Sequence, residues 1–238
     1  MDWSAIWLTA RLAFVTSVLL LGIGLPLAYW LATTPWRGRI FVEAIVALPL
    51  VLPPTVLGFY VLLSLGPRSP IGRVFESVAG HSLPFSFAGL TIASVLYSLP
   101  FAVQPFTAAF RSVNRELVDA ALNAGASPRR AFFRVCIPLA WPGLLAGMVL
   151  SFAHTLGEFG VVLMVGGNIP GVTRTVSVSI YDAVQSLDYE SAATTSLFLL
   201  ITSFVVLSIT YALQGSFRLG WPSAGERKNA SARGVSSE

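Results

Sequence analysis

Charge is missing from five long stretches of this chain, and that limits what it can fold into more than any motif does. The runs Leu12–Trp36, Ala44–Pro67, Ser82–Phe110, Val135–Gly157 and Ser191–Phe217 contain no Asp, Glu, Lys or Arg. Each reaches the roughly 20 residues needed to cross the hydrocarbon of a bilayer. With 55% hydrophobic residues, 11% charged residues and a mean hydropathy of +0.74, the chain cannot cover itself with polar surface. The expected fold is therefore an all-α membrane protein with five transmembrane helices. A transmembrane unit over 1–222 would hold spans at about 12–36, 44–67, 82–110, 135–165 and 191–217, and a cytoplasmic loop at about 111–138. The tail, 223–238, is rich in Ser, Ala, Gly and charge and reads as disordered.

The few charges then set the orientation. Eleven basic residues fall in three places: Arg37 and Arg39; Arg111, Arg115, Arg129, Arg130 and Arg134; and Arg218, Arg227, Lys228 and Arg233. Four others, Arg11, Arg68, Arg73 and Arg174, lie in the alternate segments. Basic residues accumulate on the cytoplasmic side, so the N-terminus is expected outside and the C-terminus inside. The net charge of +4 is thus a topological signal and does not call for nucleic acid. A sixth span within Gly166–Glu190 would place the basic tail outside, so that more polar stretch is expected as an outer re-entrant or surface segment.

Prolines interrupt two of the spans. Pro49, Pro53 and Pro54 remove backbone donors in the middle of the second, which must bend or break there, and Pro100 and Pro105 are expected to kink the third. Between them, Gly66 to His81 reads as a turn-rich outer loop, with His81 as a solvated residue. Near the end of the fourth span, His154 and Glu158 are four residues apart, which would put them on one helix face as a pair. An ionisable residue in a span should face protein or water. Glu158 therefore suits a gating or structural role. Cys136 has no second cysteine with which to form an internal disulfide.

The segment from Glu116 to Pro138 is the most informative. Ala and Leu favour a first short helix, Gly125 suits the left-handed residue that ends it, Ser127 suits an N-cap and Pro128 the first position of a second helix, which Pro138 would limit. The residues alone fit either a rigid docking knob or an ordinary loop. Asp119-Ala120-Ala121, with Gly125 four positions further on and then Val135 and Ile137-Pro138, resembles the EAA loop of bacterial ABC-importer permeases, although that pattern favours Glu, Ile and Leu where this chain has Asp119, Val135 and Ile137. Leu48 to Pro54, the Gly66-to-Gly72 turn, Leu156-Gly157-Glu158-Phe159-Gly160, Asn168-Ile169-Pro170-Gly171 and Thr173-Arg174-Thr175 extend the likeness to the molybdate and sulfate group of binding-protein-dependent importer permeases, and to its molybdate members above all.

That resemblance implies a homodimer in the bacterial inner membrane, with two ATP-hydrolysing subunits beneath it and an external solute-binding protein that delivers the oxyanion. It implies coupling to the ATPase through Asp119, Ala120, Ala121, Gly125, Ser127, Pro128 and Arg129. Thr155 and Glu158 would lie on the pathway or gate. Asn168, Pro170, Gly171 and Arg174 would form an outer docking or gating surface, where Arg174 is expected as a lone cation. No cofactor is expected on this chain, because ATP and Mg would be used by the partner: the only lysine, Lys228, is not in a Walker A loop. A membrane enzyme would need a nucleophile with its base, or a metal cluster, and two isolated histidines with one cysteine make neither. A membrane scaffold is the remaining alternative, and a transport assay separates it.

Overall fold

In the computed structural model, which describes residues 1–219, the described chain is helical and without strands. The expectations for the tail at 223–238 lie outside the described residues. Four helices are long and apolar enough to cross a membrane by themselves: Trp3–Thr33, Phe87–Arg111, Pro128–Leu156 and Tyr189–Thr210. A fifth crossing is available if the helices Arg39–Val51 and Pro54–Leu65, which meet at 113°, count as one broken span.

Helix α1 (Trp3–Thr33) starts nine residues before the first uncharged run, because Asp2 caps it by accepting the Ala5 N–H. Its Arg11 stays within the helix by lying over the Phe87 ring, 4.4 Å from the centroid. The bent pair is α2 (Arg39–Val51) followed by α3 (Pro54–Leu65). Pro49 is tolerated within α2, and the chain turns where Pro53 and Pro54 come together, with Pro54 taking the first position of α3.

The expected outer loop after Gly66 requires correction. It contains a helix, α4 (Pro70–Ala79), in which the Ser69 side chain accepts the Gly72 N–H and the left-handed Gly80 closes the end. Ser69-Pro70 repeats the cap-and-proline signal of Ser127-Pro128, so the sequence did carry it. His81 is exposed, as expected, and meets the edge of Phe75 at 5.4 Å.

Helix α5 (Phe87–Arg111) is the centre of the bundle and keeps both Pro100 and Pro105 in one continuous helix. It runs parallel to α1, with Arg11 over Phe87 at one end and Arg111 reaching the Leu31 carbonyl at 3.5 Å at the other. Against α8 it runs antiparallel and very close: a Cβ on Gly143 would lie 2.5 Å from that of Ala109, and one on Gly147 only 2.6 Å from Phe106. Small residues where two spans cross let the backbones approach and gain dispersion contacts, the main attraction available inside a bilayer. Phe106, fully buried, fills the centre with Leu20, Ala102, Ala140 and Leu144.

The fourth crossing corrects two expectations. Pro138 does not limit a separate helix: α7 (Pro128–Ala131), a π-turn (Phe132–Cys136) and α8 (Ile137–Leu156) form one continuous rod. The wider turn, closed by the Ile137 N–H on the Phe132 carbonyl, lets the chain pass the missing Pro138 donor without breaking. The rod also stops before residue 165. Gly157 ends α8, and after Glu158 and Phe159 a separate helix, α9 (Gly160–Gly166), packs on α3. The polar stretch expected as a surface or re-entrant segment holds α10 (Val176–Gln185), capped by Thr175, and α11 (Tyr189–Leu219) follows.

Candidate functional site

The first candidate is built almost wholly from its own backbone. Asn114 caps α6 (Arg115–Asn123) by accepting the Glu116 N–H. At the other end, Gly125 takes φ +86°, its N–H bonds to the Leu122 carbonyl at 2.9 Å, and the Ala126 N–H bonds to the Ala121 carbonyl at 3.0 Å. That is a Schellman closure, and it needs a residue without a Cβ penalty at the left-handed position. Ser127 then accepts the Arg130 N–H and Pro128 opens α7, as the sequence indicated. Asp119, Ala120, Gly125, Ser127, Pro128 and Arg129 are exposed and Ala121 is half-buried. A notch of about 380 Å³ lies between the two helices, lined by Ala121, Ala124, Gly125, Arg130, Ala131 and Arg134. Asp119 faces a second cleft, shared with Tyr29, Arg111, Arg115 and Cys136. The same end of the bundle carries the Arg111–Glu43 ion pair at 2.6 Å and the Arg39 bond to the Thr34 carbonyl, which gathers the arginines of the first turn and of the loop after α5.

The break between α8 and α9 is the second candidate. His154 and Glu158 do not form the expected pair, because Gly157 ends the helix between them and Glu158 leaves the shared face. His154 instead stacks on Phe101 at 3.8 Å and its Nδ1 stands 3.0 Å from the Ser98 hydroxyl. Thr155 donates to the Ser151 carbonyl at 2.9 Å and meets Ser98 at 3.0 Å, so its hydroxyl is already engaged within the bundle. Glu158 is only 3% exposed and neither carboxyl oxygen has a hydrogen-bond partner. It lines a cleft of about 590 Å³ together with Thr55 at the start of α3, Tyr97, His154 and Phe159. The sequence had not pointed to Ser94 or Ser98, although their spacing of four, on the face opposite His154 and Glu158, was available as a signal.

The third candidate is stitched by contacts distant in sequence. Gly171 turns the chain with φ +73°, and the Thr173 and Arg174 N–H groups both bond to the Ile169 carbonyl. Arg174 is not the lone cation expected: its Nε donates to Asn168 at 2.6 Å, and it pairs with Asp182 of α10 at 3.3 Å and with Asp2 at 3.9 Å. Its side chain is 24% exposed. Partial burial raises the Asp2 pKa, but bonds from Ser4 and the backbone and the charge of Arg174 outweigh it and hold the carboxyl below its ordinary range. The Val176 N–H reaches the Thr9 hydroxyl at 2.8 Å, so the same segment is sewn to α1 twice. Asn168, Pro170 and Gly171 remain exposed at this rim of the bundle. Asp2, Thr9 and Asp182 were invisible as partners because nothing in the local sequence fixes which helix ends meet. Among the described residues, no three or more His, Cys, Asp or Glu side chains are grouped so as to hold a metal.

Known proteins share both this architecture and these sequences. The molybdenum transport system permease protein ModB of Azotobacter vinelandii is 50% identical over 211 residues, covering 89% of this chain and 93% of its own. ModB of Escherichia coli K12 is 35% identical over 192 residues, covering 81% and 84%. In fold, the chain is similar to a chain of the crystal structure of a bacterial ABC transporter involved in the import of the acidic polysaccharide alginate. The TM-score is 0.72 at 18% identity, over 90% of this chain and 78% of that one. Residues 24–219 match the sequence model of the family described as "binding-protein-dependent transport system inner membrane component", and the chain belongs to that family.

Proposed function

We propose that this chain is the membrane-spanning subunit of an ABC importer for molybdate. The observation that carries this reading is the 50% identity with a molybdenum transport permease, extending over nearly the whole of both chains. Two copies related by a twofold axis enclose the pathway, since five crossings are few for one subunit to enclose it alone. Two ATP-hydrolysing subunits sit on the cytoplasmic side, where they bind ATP and Mg, and a solute-binding protein delivers the anion from outside. The N-terminus lies outside the bacterial inner membrane and the C-terminus inside.

Asp119, Ala120, Ala121, Gly125, Ser127, Pro128 and Arg129 form the knob that enters a cleft of the ATPase. The small residues around the notch suit close docking, and the Schellman closure makes the knob stiff. Its motion has a direct route into the membrane: α7, the π-turn and α8 are one helix of 29 residues, about 43 Å long at 1.5 Å per residue. That rod ends at Gly157, next to Glu158. Closing the ATPase dimer brings the two knobs together, swings the rods and changes the α8–α9 break, with Thr155 and Glu158 beside the pathway. The outer rim, Asn168, Pro170, Gly171 and Arg174, acts as a stiff platform against which the binding protein docks.

Uptake of labelled molybdate by cells deleted for this subunit tests the reading. Complementation with the intact chain restores molybdate uptake and leaves sulfate uptake unchanged; restored sulfate uptake in its place overturns the substrate assignment. Orientation has its own test: after replacement of Cys136, a membrane-impermeant thiol reagent leaves Asn123→Cys unlabelled in intact cells and labels it in inverted vesicles.

A further inference from the structure

The exposed positions of helix α5 change character along its length. Ile92 and Leu96 are exposed and apolar, as contact with lipid requires. Toward the knob end of the bundle the exposed positions are Gln104, Ala108 and Arg111. Tyr97, Gln104 and Arg111 recur every seven residues, nearly two full turns, so they share one stripe of the helix. Gln104 stands about 10 Å inside the Arg111 end at 1.5 Å per residue. Its side-chain amide has no hydrogen-bond partner among the described residues. An exposed primary amide at that depth is strongly disfavoured against hydrocarbon, so it faces water or a polar ligand.

Gln104 and Arg111 open onto one groove of about 470 Å³ between α2 and α5. Ala44 and Ala47 of α2 and Ala108 of α5 line it, and their small side chains leave room for an anion with part of its water. At the mouth, Arg111 is held by Glu43 of α2 at 2.6 Å and by the Leu31 carbonyl at 3.5 Å. The groove thus presents hydrogen-bond donors without net charge. Further along the same stripe, Tyr97 lines the cleft at the α8–α9 break. Phe101, stacked on His154, lies between Tyr97 and Gln104 on α5.

We propose that this groove is the release half of the oxyanion path, with the Gln104 amide as its anion contact. The inference rests on the importer reading given above and adds the α5 stripe to it. The anion leaves the cleft beside Tyr97, passes Phe101 and is met by the Gln104 amide, which donates hydrogen bonds without adding charge. At the mouth, Glu43 keeps Arg111 paired. An unpaired arginine would hold the anion by charge-assisted bonds, whereas a path that must release its cargo needs contacts too weak to trap it.

Thiol reactivity of the full chain, assembled with its ATP-hydrolysing subunit and binding protein in permeabilised membranes, tests the groove. Cys136 is first replaced. Gln104→Cys and Ala108→Cys should then react with an anionic, water-soluble methanethiosulfonate at least about tenfold faster than Leu200→Cys, at an exposed apolar position of α11. A thiol against lipid neither ionises nor meets such a reagent. Molybdate should slow the reaction at Gln104→Cys. In uptake, Gln104→Leu should lose about tenfold, the loss of one hydrogen bond to a charged group, while Gln104→Asn keeps most of the parent rate. Slowing by sulfate and not by molybdate upholds the groove and overturns only the substrate reading. Reaction no faster than at Leu200→Cys shows that lipid or a second copy covers the groove and overturns the proposal. Full uptake by Gln104→Leu overturns it as well.

Discussion

The knob around Gly125 and the rim around Gly171 are both short turns between helices, yet they are held in different ways. The knob from Asn114 to Arg130 is closed by bonds that span five residues or fewer: Asn114 to Glu116, Gly125 to Leu122, Ala126 to Ala121, Ser127 to Arg130. The rim from Asn168 to Val176 adds to its own turn bonds partners far away in the chain: Arg174 with Asp2 and Val176 with Thr9. A unit closed on itself can move as a body against another protein. A unit sewn to the end of α1 moves only with that helix. The difference teaches that the knob suits a moving coupler and the rim a fixed platform, and substitutions can separate the two.

The largest effect is expected at Gly125. Proline fixes φ near −65°, far from +86°, so Gly125→Pro removes the Schellman closure and the stiffness of the knob. Molybdate uptake should fall to background with the chain still inserted, and recovery of the ATP-hydrolysing subunit on purification should fall with it. Ala121→Glu leaves the closure intact but fills the notch with a charge. It should weaken recovery of the ATPase subunit by about tenfold, roughly 1.4 kcal/mol of docking energy, while the melting temperature of the chain stays unchanged.

At the rim the expected loss is stability. Arg174→Glu places a third carboxylate beside Asp2 and Asp182. Partly exposed pairs of this kind contribute roughly 0–1 kcal/mol each, so the melting temperature should drop by a few degrees. Arg68→Glu, at an exposed arginine, serves as the control and should stay within about 0.5 kcal/mol of the parent. A drop in uptake without a drop in melting temperature would reverse the contrast, making the rim the mobile contact. Asp2→Asn should be the mildest change, because asparagine also caps helices. Its signature is in the pH dependence. The folded Asp2 pKa is lowered, so its contribution is present above the ordinary carboxylate range and is lost as pH falls through the folded value. Thermal unfolding followed from neutral to acid pH should show a smaller decline for Asp2→Asn than for the parent.

The same contrast explains what could be read from the sequence. Gly125, Ser127 and Pro128 act through neighbours a few positions away, so residue type and spacing were enough, and the bend at Pro53-Pro54 was legible for the same reason. The apolar runs marked the four long apolar helices and the bent pair, although only a run with Gly157-Glu158-Phe159 in view could have shown where α8 stops. The fate of Pro138 depends on a π-turn that no residue type announces. Arg174 looked unpaired because its partners arrive through the packing of α1 and α10. Glu158 was visible as an ionisable residue in a span, but its burial without a hydrogen-bond partner depends on how α3, α5 and α9 pack around the α8–α9 break. Helix α4 was a local feature passed over, since Ser69-Pro70 carried the same cap signal used at Ser127-Pro128.

The central claim joins cargo and coupling in one chain, and ATP-driven uptake into vesicles carrying this chain with its ATPase and binding protein tests both. Labelled molybdate should accumulate only with ATP inside the ATPase compartment, labelled sulfate should not, and Gly125→Pro should abolish accumulation while the chain remains inserted. Equal uptake by the parent and Gly125→Pro, or accumulation of sulfate in place of molybdate, would contradict the account.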